Sequence, residues 1–243
     1  MIFNLQISAN FRVASPLPTI EEQYVALWKL AKTLQNAGFP LDEWFPPAST
    51  PEQSLLNAAF TETGPSTAAL AMANADSDNH ASDNRDLGVW NGKEDEGGAV
   101  YTVNYGTGQI PSFLHFRCEE VNSLRNYKNV IGLVQSIVNL WKPMLVQIAH
   151  AEYLDHSVFP DRPGAGWMIY LPFKIESRQV PEAAQVIKIM DDAGKQQLGT
   201  LIVTVEETFD MENEEHIKRA NAIETRLVDQ DLLPTNAEFV EKF

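Results

Sequence analysis

The chain is short of cysteine, of positive charge and of long apolar runs. Cys118 is the one cysteine among 243 residues, so no intramolecular disulfide can form and stability has to come from a buried core. Lys plus Arg number 18 against 33 Asp plus Glu, a net charge of −15. A chain of that sign is repelled by nucleic-acid phosphates and anionic membranes, and it is drawn to cationic partners. No apolar run approaches the roughly 18 residues needed to span a bilayer. The opening Met-Ile-Phe-Asn-Leu-Gln-Ile has neither the basic leader nor the continuous apolar stretch of a signal peptide. These absences predict a soluble, cytoplasmic protein whose partner is neither nucleic acid nor membrane.

Catalytic signatures are scarce too. The histidines are His80, His115, His150, His156 and His216, and none forms the i, i+4 pair of a zinc helix. Gly106-Thr-Gly108 lacks the third glycine and the following helix of a phosphate cradle, and no Gly-x-Ser-x-Gly occurs. Pro160-Asp161 has the look of a nuclease opening, but the next predicted strand carries no acid-x-Lys pair, and Lys174-Ile-Glu176 runs in the reverse order. The polar stretch Asp76–Asp86 lacks the glycine and terminal glutamate of a calcium loop. The reading is a non-enzyme with no catalytic residues, no metal and no cofactor. The competing arrangement is a metal-dependent hydrolase built on His150, Asp155, His156 and Asp161.

What is present is a regular alternation of strand and helix signals. Phe3, Leu5 and Ile7 alternate with polar residues as a half-buried strand does. Thr19 and Glu22 make a capping box, after which Ile20, Tyr24, Leu27, Trp28, Ala31 and Leu34 share one helical face up to Gly38. Thr50, Pro51 and Gln53 start a second helix, and Pro65 opens a third over Ser66 to about Asn74. The stretch 76–86 reads as an exposed acidic loop with the composition of a mobile segment. Strands are predicted at Leu87–Trp90, Ala99–Tyr105, Ile110–Arg117, Met144–Ala149 and Trp167–Leu171. A hairpin pairs Gln185–Met190 with Leu198–Val205. Tyr127–Trp141 has helical periodicity. A last helix runs from near Asn213 to Asp231–Pro234 with Ile217, Ala220, Ile223, Leu227 and Val228 inward. The order predicts one α+β domain over residues 1–243, with a mixed, largely antiparallel sheet and helices packed on one face.

The least generic segment is His156–Pro172. Pro160 and Pro163 hold Phe159 and Arg162 extended, and Gly164 and Gly166 supply joints before an apolar strand. Asp161 and Arg162 then sit at the tip of a stiff loop, either as a local salt bridge or as a contact point. Other partner-binding candidates are Glu94, Asp95 and Glu96 on the connection after Trp90, and Asp229 and Asp231 at the end of the last helix. The bland reading of the helix residues is an internal polar network of Asn221, Glu224, Arg226, Asp229 and Asp231.

Two long motifs, Val158-Phe-Pro-Asp-Arg-Pro-Gly-Ala-Gly-Trp-Met-Ile-Tyr-Leu-Pro172 and Ala220-Asn-Ala-Ile-Glu-Thr-Arg-Leu-Val-Asp-Gln-Asp-Leu-Leu-Pro234, carry a resemblance. Trp44-Phe-Pro-Pro, Thr50-Pro-Glu-Gln-Ser-Leu, Gly88-Val-Trp-Asn-Gly and Leu198-Gly-Thr support it. The chain resembles the immunity protein 52 family of bacterial polymorphic toxin and type VI secretion systems. The resemblance implies a cytoplasmic antitoxin that binds and neutralises a cognate toxin, often one with a restriction-endonuclease-like nuclease domain, and it brings no catalytic residues with it. The polar stretch 76–86 is the departure from the family pattern. A secretion adaptor that escorts a toxin without inhibiting it is the other binding class.

Overall fold

A computed structural model describes residues 3–76, 83–109 and 111–242. In chain order its elements are β1 (Asn4–Phe11), α1 (Ile20–Leu34), α2 (Pro51–Ser54), β2 (Phe60–Thr61), β3 (Gly64–Pro65), α3 (Thr67–Ala75), β4 (Asn84–Trp90), β5 (Ala99–Gly106) and β6 (Ser112–Glu119). They continue with α4 (Tyr127–Trp141), β7 (Leu145–Ala149), β8 (Met168–Leu171), β9 (Gln185–Met190), β10 (Gln197–Val203), α5 (Glu214–Asp229) and α6 (Asn236–Lys242). The chain divides into two compact units, residues 1–4 with 12–124 and residues 5–11 with 125–243. The class is α+β, and the strand pairings within each unit are antiparallel.

In the first unit β4, β5 and β6 pair in sequence order. Alternation divides their faces: Leu87, Val89, Tyr101, Val103, Leu114 and Phe116 are buried, while Asp86, Gly88, Thr102 and His115 lie on the other face. Helix α1 covers the buried side. The Thr19–Glu22 capping box forms as predicted, Gly38 ends the helical stretch at φ +90°, and the Tyr101 hydroxyl donates to the Leu27 carbonyl at 2.9 Å. Trp28 is held at the rim by its indole N–H on the Thr61 carbonyl at 2.9 Å.

The second unit pairs β1 with β7, β7 with β8, β8 with β10 and β10 with β9. All of β8 is buried, as a strand covered on both faces must be. Ile169, Leu171 and Ile202 form one core with Ala220, Ile223 and Leu227 of α5. Burying each of the Ile and Leu side chains among them is favourable by about 1.5–3 kcal/mol relative to exposure.

The structure corrects the loop predicted at 76–86. Asn84, Arg85 and Asp86 belong to β4, paired with Gly106, Tyr105 and Asn104. Their polarity is absorbed locally: Asn104 Nδ2 donates to Asn84 Oδ1 and to Asp86 Oδ1, both at 2.9 Å, and Arg85 Nη1 donates to Gln23 Oε1 at 3.1 Å. The middle of that predicted loop, 77–82 with His80, lies outside the described residues, as does Ile110 at the predicted start of β6.

Candidate protein-binding surfaces

The acids Glu94, Asp95 and Glu96 are exposed on the connection between β4 and β5. Buried Asn91 organises that connection. Its side chain accepts from Ala99 N–H and donates to the Gly97 carbonyl, both at 2.8 Å. The turn is also fastened to β6, with Gly97 N–H on the Glu119 carbonyl at 2.8 Å and Glu119 N–H on the Gly98 carbonyl at 3.0 Å. A Cβ at Gly98 would stand 2.6 Å from the Asp95 carbonyl, so only glycine fits this tight turn. The three carboxylates are therefore presented by a fixed frame.

Glu94 also lines a groove of about 550 Å³ on the same unit. Its origin is a ladder that starts and stops. Phe45 and Trp90 exchange backbone hydrogen bonds at 2.8 and 3.1 Å. Pro46 and Pro47 follow at once, and without N–H donors they cannot continue the pairing. The segment 47–51 instead peels away from β4 and forms the groove wall with Ser54. Gly88, Trp90, Val100 and Thr102 supply the floor. The Trp90 indole is fixed by its N–H on Ser54 Oγ at 2.6 Å, and Ser54 donates in turn to the Pro46 carbonyl at 2.6 Å. Along β4 the lining runs Asp86, Gly88, Trp90, with Glu94 beyond, so a carboxylate stands toward either end of an apolar floor. Leu55 and Leu56, 44% and 76% exposed, follow the wall directly.

The second surface is the proline- and glycine-jointed loop. Buried Glu224 of α5 is its anchor. One carboxylate oxygen accepts from the Tyr153 hydroxyl at 2.6 Å and from Ala165 N–H at 2.8 Å, while the other accepts from Val158 N–H at 2.8 Å. Burial, with the negative charge of Glu224 beside it, raises the Tyr153 hydroxyl far above the ordinary phenol range, so it stays a donor. The Arg162 guanidinium donates to the Leu233 carbonyl rather than closing a local bridge with Asp161, and Asn236 N–H donates to the Asp161 carbonyl at 2.8 Å. The two long sequence motifs thus meet in space.

Asp161 and Asp229 keep exposed carboxylates, and Arg162 is half-buried. Asp231, exposed at φ +60°, turns the chain out of α5, with its N–H on the Val228 carbonyl at 3.0 Å. The polar network expected on α5 is only partly internal. Asn221 and Glu224 both meet Tyr153, whereas Arg226 pairs outward with Glu182 at 2.6 Å. That pairing holds the Glu182 carboxyl below its usual value and raises the Arg226 guanidinium. Trp167 is core, its indole N–H on the Val205 carbonyl at 2.9 Å.

His150 caps a short 3-10 turn over Ala151–His156, accepting from Glu152 N–H at 3.4 Å. Among the described residues no group of His, Cys, Asp or Glu is gathered to hold a metal ion, so His150, Asp155, His156 and Asp161 are not such a centre. No helix among them is long and apolar enough to cross a membrane. The groove is the feature that sequence reading missed. Its signals were Gly88 inside a strand, which marks close approach, and the adjacent Pro46-Pro47.

No curated protein matches this chain. Among solved structures, a Pseudomonas aeruginosa T6SS protein shares the fold at a TM-score of 0.52 and 12% identity, over 91% of this chain and 73% of that one. The family model for Immunity protein 52 matches residues 26–236, which takes in both long motifs, the groove and the connection carrying Glu94. The chain belongs to the Immunity protein 52 family.

Proposed function

We propose that this protein is the cytoplasmic antitoxin of a DNA-cleaving toxin delivered by a type VI secretion system, and that it silences the toxin by binding it. The observation that carries this reading is the family match across residues 26–236, since an immunity protein acts by binding its cognate toxin. The T6SS protein of similar fold supports the secretion context. The charge supports the nuclease. An enzyme that handles DNA presents cations to phosphate, and a protein of net charge −15 complements that surface and is steered toward it. The exposed carboxylates of Glu94, Asp95, Glu96, Asp161, Asp229 and Asp231 are its proposed contact points, and Arg162 is a further one.

The test is to co-purify the partner from the native host and to assay its cleavage of plasmid DNA with and without this protein at a one-to-one ratio. Suppression of cleavage is the expected result. A complex that forms while cleavage continues would make the protein an adaptor instead.

A further inference from the structure

We propose that the groove between segment 47–51 and β4 receives an extended segment of the toxin that adds as a strand to the free edge of β4. Its apolar side chain would lie on Trp90 and its flanking Lys or Arg residues would face Asp86 and Glu94. This rests on the toxin-binding reading above and names where that binding is seated.

Backbone geometry is the first support. In an antiparallel ladder alternate residues direct both N–H and C=O to the same side. Trp90 directs both toward Phe45, so Gly88 and Asp86 present theirs to the same edge. Segment 47–51 has already left that edge, and among the described residues β4 is otherwise paired only through β5. An edge with free donors and acceptors beside an apolar groove is the arrangement that strand addition uses: main-chain bonds hold the segment and the pocket selects a side chain.

Gly88 leaves the groove floor bare. A Cβ there would lie 2.9 Å from Thr102 Oγ1 of β5, so no side chain stands on the floor at that position. Phe45 already holds the edge at Trp90, so the added strand pairs with β4 at Asp86 and Gly88 and leaves the edge below Phe45. It would place a cation opposite Asp86 and, two residues on, an apolar residue opposite Gly88 beside the Trp90 indole, with the following cation turned toward Glu94 as the segment runs on into the groove. Leu55 and Leu56, exposed and next in sequence to the groove wall, add apolar surface to this unit. A hydrophobic centre with a charged rim is the usual anatomy of a tight interface.

The test uses the purified toxin whose cleavage this protein suppresses, with three variants. Ala48→Trp fills the groove from an exposed wall position, and Glu94→Lys reverses a lining charge. Asp42→Lys changes the net charge equally on the same unit, at an exposed position outside the groove lining. Thermal unfolding of each variant confirms that it is folded. The expected result is a loss of at least tenfold in affinity for Ala48→Trp and Glu94→Lys, against a change within about threefold for Asp42→Lys, with the Gly88 amide of the parent protein protected from hydrogen exchange in the complex. Unchanged affinity in Ala48→Trp, or equal losses in the two lysine variants, would overturn the groove as the seat while leaving inhibition by the parent protein intact. Failure of the parent protein to suppress cleavage would instead remove the functional reading beneath it.

Discussion

Replacing Glu224 should loosen the loop that carries the longest family motif. The carboxylate is 1% exposed and accepts three hydrogen bonds, from Tyr153, Val158 and Ala165, at 2.6 to 2.8 Å. Hydrogen bonds to a charged group contribute about 1.5–3 kcal/mol each, and a buried donor stripped of its acceptor costs about 1–3 kcal/mol. These terms are not additive, because the loop can open to hydrate the freed amides. Glu224→Ala is therefore expected to lose about 3–5 kcal/mol overall. Glu224→Gln keeps the shape but turns a donor amide toward one of the three donors, and about 1.5–3 kcal/mol is expected. The assay is urea unfolding, combined with hydrogen exchange read at the Val158 and Ala165 amides. Faster exchange should be concentrated at those amides in both variants. Stability of Glu224→Ala within about 0.5 kcal/mol of the parent, with both amides still protected, would refute the anchoring role.

Gly166 sits at φ +53°, and a Cβ there would meet Ala149 Cβ at 2.6 Å and the Ile148 carbonyl at 2.9 Å, so Gly166→Ala should cost about 2–4 kcal/mol in chemical denaturation. The Glu182 carboxyl is lowered from 4.5 chiefly by its hydrogen bond from Arg226. Its contribution is present above the unfolded value and lost as pH falls through the lower folded value. The loss of stability as pH falls below the ordinary carboxylate range should accordingly flatten in Arg226→Met. Burial pushes the Tyr24 and Tyr170 hydroxyls up to about 12, and Tyr101 and Tyr153 are raised as well. Their contribution is intact below the unfolded value of about 10 and declines as pH rises toward the folded values. An absorbance titration should thus show these phenolates appearing together with unfolding, not before it.

Much of the fold was legible because its signals are local. The Thr19 capping box, the start of α5 at Asn213 and the bounds of α4 depend on residues a few positions apart, and period-two alternation placed β5 and β6. The polar start of β4 reads as loop because strand signals are apolar, whereas these residues are satisfied by side chains of a pairing strand 18 to 20 residues on. An internal place for Glu224 is legible in the sequence, but its partners are not, lying 59 to 71 residues away. The exposed acids of the Glu94–Glu96 connection were visible from composition. The groove beside them was not, because it exists only where Pro47 leaves the edge that Phe45 has joined.

The central claim is neutralisation of a DNA-cleaving toxin by direct binding. Its most direct measurement is a titration of the purified toxin's DNA cleavage with this protein at concentrations well above their dissociation constant. The account predicts that cleavage falls linearly and reaches zero near one equivalent. Undiminished cleavage at several-fold excess, with the complex demonstrably formed, would contradict it.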